Sequence, residues 1–210
     1  MNHRAARHLL LIATTSAGKL SEWRGLLADL PYRLVSLGDV GIDFEANETG
    51  TTFAANAQLK ADAYARASGL LTLAEDSGLM VAALGGAPGV RSARWEGDDY
   101  AHKNQRLIEL LADKAGQQRS CRYVCVVVLR HPDGRCWRVR GEVRGQVALS
   151  PAGSGGFGYD PIFYIPRLRR TLAEIPIREK DRISHRGRAA RRIRPILCQL
   201  LEASPAQPSA

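Results

Sequence analysis

Residues 9–13, Leu-Leu-Leu-Ile-Ala, form an unbroken apolar run that gives way to Thr14-Thr15-Ser16 and Gly18, the pattern of a buried strand feeding a loop. Leu20, Trp23, Leu27 and Leu30 then recur at helical spacing until Pro31, which places a strand, a bend over 13–19 and a helix in succession. A second helix is predicted over 51–67, closed near Gly69. Residues 70–74 read as another short buried strand, interrupted by Glu75-Asp76-Ser77-Gly78 as an acidic turn, with a further strand around 79–83. Gly85-Gly86-Ala87-Pro88-Gly89 is a loop, and 100–115 is a helix carrying Leu107, Leu110 and Leu111 on one face. Residues 122–129 are β-rich and pair, through a Pro132-Asp133-Gly134 turn, with 136–143 as a hairpin. After the glycine-rich stretch 153–158, the last helix is predicted over 184–201. Ala189, Ile193, Ile196, Leu197 and Leu200 lie on one side of it, Arg188, Arg191, Arg192 and Arg194 on the other, and Pro195 is expected to bend it.

These elements argue for an α/β fold, a mixed central sheet flanked by helices, with parallel strands early and the hairpin excluding an all-parallel sheet. One domain is expected over 1–203, followed by a small polar tail, 204–210, with nothing to bury and expected to be disordered.

Composition narrows the class. At 210 residues, 45% apolar and 24% charged, the chain is globular, which excludes disordered and collagen-like sequences. Its four cysteines lack the CxxC spacing of zinc or redox motifs and read as reduced core residues. The opening apolar stretch is too short for a signal peptide, no run approaches a membrane span, and a cytoplasmic protein is expected. A net charge of +9 makes an anionic partner the first expectation, and residues 161–210, with eleven Lys and Arg against four acids, hold most of the excess; nucleic acid, a phosphorylated small molecule and a solvated arginine face all stay open on charge alone.

Four segments carry candidate chemistry. Thr14, Thr15, Ser16, Ala17, Gly18 and Lys19 offer hydroxyls, amides at a helix start and a lysine, the parts of an anion cradle or of an ordinary capped loop. They are not a P-loop, because the first glycine is missing and Leu20 stands where Ser or Thr would hold magnesium. Lys60 shares an inward helical stripe with Phe53, Ala57 and Tyr64, so it either snorkels or meets a buried anion. Glu75 and Asp76, adjacent on an extended segment, point to opposite sides. Asp76 with Glu48 would supply the few hard oxygen ligands that suit Mg²⁺, unless both are turn and cap residues. The run from Ser154 to Pro161 sets Phe157 and Tyr159 in a glycine frame able to offer a stacking face, and 179–187 gathers donors at a helix start.

Taken together, these segments and their order resemble one family. The segments are Ala13 to Lys19, Glu48-Thr49-Gly50, Glu75-Asp76-Ser77-Gly78-Leu79, Leu84 to Val90 and Ser92-Ala93-Arg94. Gly155 to Phe163, Glu179-Lys180 and Ile183-Ser184-His185-Arg186-Gly187 complete the set. Over about residues 8–201 the chain is similar to the non-canonical purine nucleoside triphosphate pyrophosphatases, the inosine triphosphatase family. The resemblance implies two lobes with a nucleotide cleft between them, a homodimer, and Mg²⁺-dependent hydrolysis of ITP, dITP or XTP to the monophosphate and pyrophosphate. It implies that the residues from Thr14 to Lys19, with Lys60, hold the triphosphate. Glu48 and Asp76 would take the metal, with Asp76 as general base and Glu75 supporting. Ser77, Phe157, Gly158, Tyr159, Asp160, Lys180, His185 and Arg186 would surround the nucleoside. Donors such as His185 and Arg186 would favour a 6-oxo purine over adenine.

Two positions depart from the family pattern: Ser16 stands where asparagine is usual, and Glu75 where many members have a second aspartate. The arginines of 167–170 and 188–194 belong to no motif. Two rivals stay open, a related pyrophosphatase with another base preference and a basic nucleic-acid-binding protein. With the arginines read along one helix face and no interleaved aromatics, no stable nucleic-acid partner is expected.

Overall fold

The computed structural model describes residues 8–203, so residues 1–7 and the tail 204–210 lie outside the described residues. In chain order the elements are β1 (His8–Ala13), α1 (Ala17–Leu26), β2 (Tyr32–Val35), α2 (Phe53–Ser68), β3 (Leu71–Val81) and α3 (Tyr100–Leu110). They continue with β4 (Ser120–Arg130), β5 (Cys136–Val147), β6 (Phe163–Ile165), β7 (Arg170–Thr171), α4 (Ile177–Ile183) and α5 (His185–Ala203). All seven strands form one mixed sheet in the order β2-β1-β3-β4-β5-β6-β7. The first three pair in parallel and the rest antiparallel.

The continuous apolar run of β1 is explained, from Leu10 to Ala13, by burial on both faces, while Leu9 is exposed. Leu10 and Ile12 pack with Trp23 and Leu27 of α1 and Ile193 and Leu197 of α5. Leu11 and Ala13 pack on the opposite side with Ala57, Ala61 and Tyr64 of α2. A third cluster, around Leu79, Leu107, Tyr123 and Phe163, fills the far end. Three helices start on side-chain caps: Ser16 for α1, Thr52 for α2, and Asp99, which accepts from two amides, for α3. Gly69 closes α2 at φ +67°, a left-handed turn that a side chain would strain.

Several expectations need correction. The acidic turn at Glu75-Asp76-Ser77-Gly78 is instead the middle of a continuous β3, paired in register with β4 from Thr72↔Arg130 to Val81↔Cys121. Two adjacent carboxylates are tolerated there because each is met by cations on its own face. Helix α3 stops at Leu110, five residues short of the expected end, and β5 continues to Val147. β2, β6, β7 and α4 are too short to show a period. Of the four cysteines, all free, Cys121 and Cys125 are core residues. Cys136 is exposed at the start of β5 and Cys198 half-buried, which corrects the reading of them as core.

Candidate active site

β1 pairs with β3 only as far as Ala13↔Ala74. Glu75 and Asp76 are therefore the first residues of β3 to lie beyond the end of its parallel neighbour, the usual place for functional groups in such sheets. The chain leaving β1 turns over this point. Ser16 donates its amide to Thr14 Oγ1 at 3.2 Å, and its hydroxyl accepts from the Lys19 amide at 3.4 Å, capping α1. The charge of Lys19, on the first turn of α1, favours the ionised form of both Glu75 and Asp76. Gly18 has no side chain where a Cβ would lie 2.9 Å from the Phe157 ring, so the glycine-rich loop rests directly on the start of α1.

On the α2 side of β3, Lys60 Nζ lies 2.7 Å from Glu48 Oε1 and 3.6 Å from Asp76 Oδ1. The inward stripe predicted for α2 is real: Phe53, Ala57, Lys60 and Tyr64 are all buried. Lys60 meets two carboxylates instead of snorkelling to solvent. Asn56, which the periodicity did not single out, fixes this arrangement. Its Oδ1 accepts from the Gly50 amide at 2.8 Å, so its Nδ2 is the atom turned to Asp76 Oδ2, at 3.2 Å. Burial raises the Asp76 pKa above the ordinary value, with Glu48 adding to the rise and Lys60 and Lys19 opposing it. Arg94 reaches Glu48 Oε2 at 3.5 Å from the exposed side.

On the other side of β3 is a buried chain of five charges. Arg186 Nε donates to Glu75 Oε1 at 2.8 Å, and its Nη1 donates to Glu22 Oε2. Lys180 Nζ donates to Glu22 Oε1 and to Asp160 Oδ2, both at 2.6 Å. Each of the five side chains is at most 8% exposed. Trp23 Nε1 and Cys125 Sγ also donate to Glu75, at 3.3 and 2.8 Å. Burial alone would push Glu75 up, but Arg186 and Lys19 hold it well below the usual carboxylate range. Lys180 is held charged above the ordinary lysine value, because Asp160 and Glu22 more than offset burial. Glu22 joins the two cations, and nothing in the spacing around Trp23 pointed to it. The available signal was the presence of Lys180 and Arg186 near a helix start, cations that need distant carboxylates once buried.

The remaining candidates fall around this chain. The Phe157 ring lies 5.4 Å from Lys180 Nζ and 5.5 Å from the Arg186 guanidinium carbon, covering both cations. Ser77 Oγ accepts from Arg186 at 3.3 Å. Asp160 Oδ2 accepts from the Phe157 amide at 2.9 Å, holding the loop, and the Gly158 carbonyl accepts from Asn104 at 3.1 Å. Tyr159 is 2% exposed, its hydroxyl donating to the Ser92 carbonyl at 2.8 Å, so its ring packs in the core. His185 stacks on Tyr123 with ring centroids 4.4 Å apart, and its Nδ1 is buried without a partner. Burial, reinforced by Arg186, lowers its pKa well below the ordinary value, so the imidazole is neutral.

Among the described residues no three His, Cys, Asp or Glu side chains converge into a closed metal site. Glu48 and Asp76, two carboxylates sharing one lysine, still fit a hard cation that keeps most of its ligands as water or substrate oxygen.

Similarity to known proteins follows the same outline. The Ham1 family profile matches residues 10–196. A dITP/XTP pyrophosphatase of Exiguobacterium sibiricum is 44% identical over 194 residues, 91% of this chain and 98% of that protein. One of Streptomyces coelicolor is 46% identical over 197 residues, again 91% and 98%. The solved structure of a HAM1 protein from Coxiella burnetii superposes with a TM-score of 0.82 at 37% identity, covering 91% of this chain and 99% of that one. With a profile running from β1 into α5 and relatives matched over nearly their whole length, the chain belongs to the Ham1 family.

Proposed function

We propose that the chain hydrolyses non-standard purine nucleoside triphosphates (dITP, ITP and XTP) to the monophosphate and pyrophosphate with Mg²⁺, cleansing the nucleotide pool of the cytoplasm. The observation that carries this reading is the Glu48–Lys60–Asp76 cluster beside the start of α1, an oxygen-rich cation site next to amides and lysines able to take a polyphosphate.

Cleavage between the α and β phosphates needs an aligned water and charge neutralisation. Asp76 is the group to orient and deprotonate that water. Asn56 fixes its carboxylate, and burial makes it a better proton acceptor than a surface aspartate. Lys60 and Lys19 are placed to take up charge developing on the phosphate oxygens and the leaving pyrophosphate. The Thr14 and Thr15 hydroxyls, Ser16 and the amides from Ala17 to Lys19 cradle the phosphates at the helix start. When bound at Glu48 and Asp76, Mg²⁺ supplies electrophilic stabilisation of phosphate oxygens.

On the other side of β3, Phe157 offers its ring to the purine. Ser77, Gly158, Asp160, Lys180, His185 and Arg186 frame the base, with Tyr159 backing them from the core. Neutral His185 has one donor nitrogen, and Arg186 keeps one N–H beyond its bonds to Glu75, Glu22 and Ser77, which suits a 6-oxo group and leaves a donor unpaired against the adenine amino group. The family resemblance supports a homodimer as the assembly.

Pyrophosphate release from dITP, ITP, XTP, GTP and ATP, with and without Mg²⁺, tests the proposal. Release from the first three at least a hundredfold faster than from ATP, and only with the metal, is expected. Equal rates on ATP or GTP would favour the pyrophosphatase with another base preference.

A further inference from the structure

Ser92-Ala93-Arg94 belongs neither to the phosphate cradle nor to the base frame, yet its backbone is fastened from three sides. The Leu79 amide of β3 donates to Ser92 Oγ at 2.9 Å, and that hydroxyl donates to the Gly89 carbonyl at 2.6 Å. From the glycine-rich loop, Tyr159 donates its hydroxyl to the Ser92 carbonyl at 2.8 Å. From α3, the fully buried Lys103 donates to the Ala93 carbonyl at 2.7 Å. Gly78, on the same face of β3 as Asp76, has no side chain where the Gly89 carbonyl and Ser92 pack. The turn is thus fixed to the strand that carries Asp76, and it delivers the Arg94 side chain to Glu48.

Asp76, Lys60, Glu48 and Arg94 make a line of alternating charge that leads outward, with side-chain exposures of 7, 11, 20 and 63%. Asp76, the proposed base, marks the inner end. In-line displacement puts the leaving group on the side away from the attacking water, which is outward along this line. We propose that Arg94 is a further catalytic residue, which lets go of Glu48 when the metal is bound and takes hold of the leaving pyrophosphate. Of the two cations on Glu48, Arg94 is the one free to move. Lys60 Nζ lies 2.7 Å from one Glu48 oxygen and is held by Asp76 as well. Arg94 lies 3.5 Å from the other oxygen and, among the described residues, pairs with no other carboxylate. With a metal at Glu48 both cations are repelled, and the exposed, weakly held one yields. The guanidinium bonds Glu48 through Nη2, so most of its fork is open to bind two phosphate oxygens at once. Charge on the leaving group grows in the transition state, and a cation meeting it there speeds the reaction. The inference rests on the pyrophosphatase reading of the site. Two other accounts explain less. A surface charge serving solubility needs none of the bonds that fix residues 92–94, and a latch that only holds Glu48 needs no fork.

The test is isothermal titration calorimetry of pyrophosphate and of dIMP, each at saturating Mg²⁺, on the full-length protein. Arg94→Met should bind pyrophosphate at least about tenfold more weakly, the scale of one hydrogen bond to a charged group, with dIMP affinity within about twofold of wild type. Arg94→Lys, which keeps the charge without the fork, should lie between. Mn²⁺ binding without nucleotide, followed by electron paramagnetic resonance, reads the contact with Glu48. Removal of the competing cation in Arg94→Met should tighten it about two- to fivefold, the scale of an exposed ion pair. If Arg94→Met folds poorly, Arg94→Gln should show the same set of affinities. Arg33→Met removes equal charge on β2, the edge strand of the sheet, and should leave all three affinities within about twofold. Tighter Mn²⁺ with unchanged pyrophosphate affinity would reduce Arg94 to a latch on Glu48 and overturn the proposal. Equal losses for dIMP and pyrophosphate would make it a structural residue and overturn it too. Wild type that binds no pyrophosphate with Mg²⁺ would instead overturn the pyrophosphatase reading itself.

Discussion

Glu75 and Asp76 are consecutive residues of one strand that serve two separate charge systems. Glu75 bonds Arg186 in a chain of buried ion pairs reaching Asp160, while Asp76 faces Lys60, Asn56 and Glu48 on the opposite side of the sheet. The two-residue period of the strand thus sets a carboxylate beside Lys60 and a structural one side by side on opposite faces, and in the proposed reaction the strand divides phosphate chemistry from base recognition.

Lys60→Met should separate the catalytic from the snorkelling account. The substitution keeps the volume and apolar stem while leaving Glu48 and Asp76 to repel each other. We expect pyrophosphate release from dITP to fall at least about a hundredfold, the scale of losing one preorganised charge in a closed site. Full specific activity in the folded fraction would contradict a role for the ammonium group.

Glu22→Ala removes the carboxylate shared by Lys180 and Arg186 and leaves buried cations short of a partner. Breaking such a pair costs about 3–5 kcal/mol, which lowers Tm by roughly 10 °C for a chain of this size. Thermal unfolding checks it, and a shift under two degrees would show that the chain of charges contributes little.

Tyr32 donates its hydroxyl to the Leu197 carbonyl at 2.9 Å, tying β2 to α5, and burial raises its pKa from 10.0 to about 12. The folded state therefore keeps a proton that the unfolded state releases first, so stability is intact below pH 10 and is lost as pH rises from 10 towards 12. Denaturant melts should show wild type losing on the order of 2–3 kcal/mol more than Tyr32→Phe across that window. Parallel pH profiles would refute the assignment.

Ser16 caps α1 in place of the family's usual asparagine. Ser16→Asn keeps a capping side chain and adds reach, so KM for ITP should fall several-fold at unchanged Tm. Ser16→Ala should lose about 1 kcal/mol of stability. An unchanged KM in Ser16→Asn would mean that this side chain does not reach the substrate.

What could be read from the chain divides by range. The stripe of Phe53, Ala57, Lys60 and Tyr64 and the opposed directions of Glu75 and Asp76 follow from local periods, and both hold in the fold. The acidic turn was misread because the charges that neutralise Glu75 arrive from Arg186, 111 residues away. Glu22 and Asn56 were missed for the same reason. Glu22 meets Lys180 across 158 residues, and Asn56 matters only through its tie between the Gly50 loop and Asp76. The partners of the α5 arginines are equally distant: Arg194 meets Asp29 across 165 residues and Arg192 the Arg140 carbonyl of β5 across 52.

The most direct test of the central claim is product analysis of dITP turnover with Mg²⁺ by wild type and Asp76→Asn, a substitution that keeps size and fold and removes the base. The account predicts dIMP and pyrophosphate in equal amounts from wild type, and a fall of about 10²–10⁴-fold in the variant at unchanged Tm. Release of orthophosphate in place of pyrophosphate, or a variant retaining more than a tenth of wild-type turnover, would contradict it.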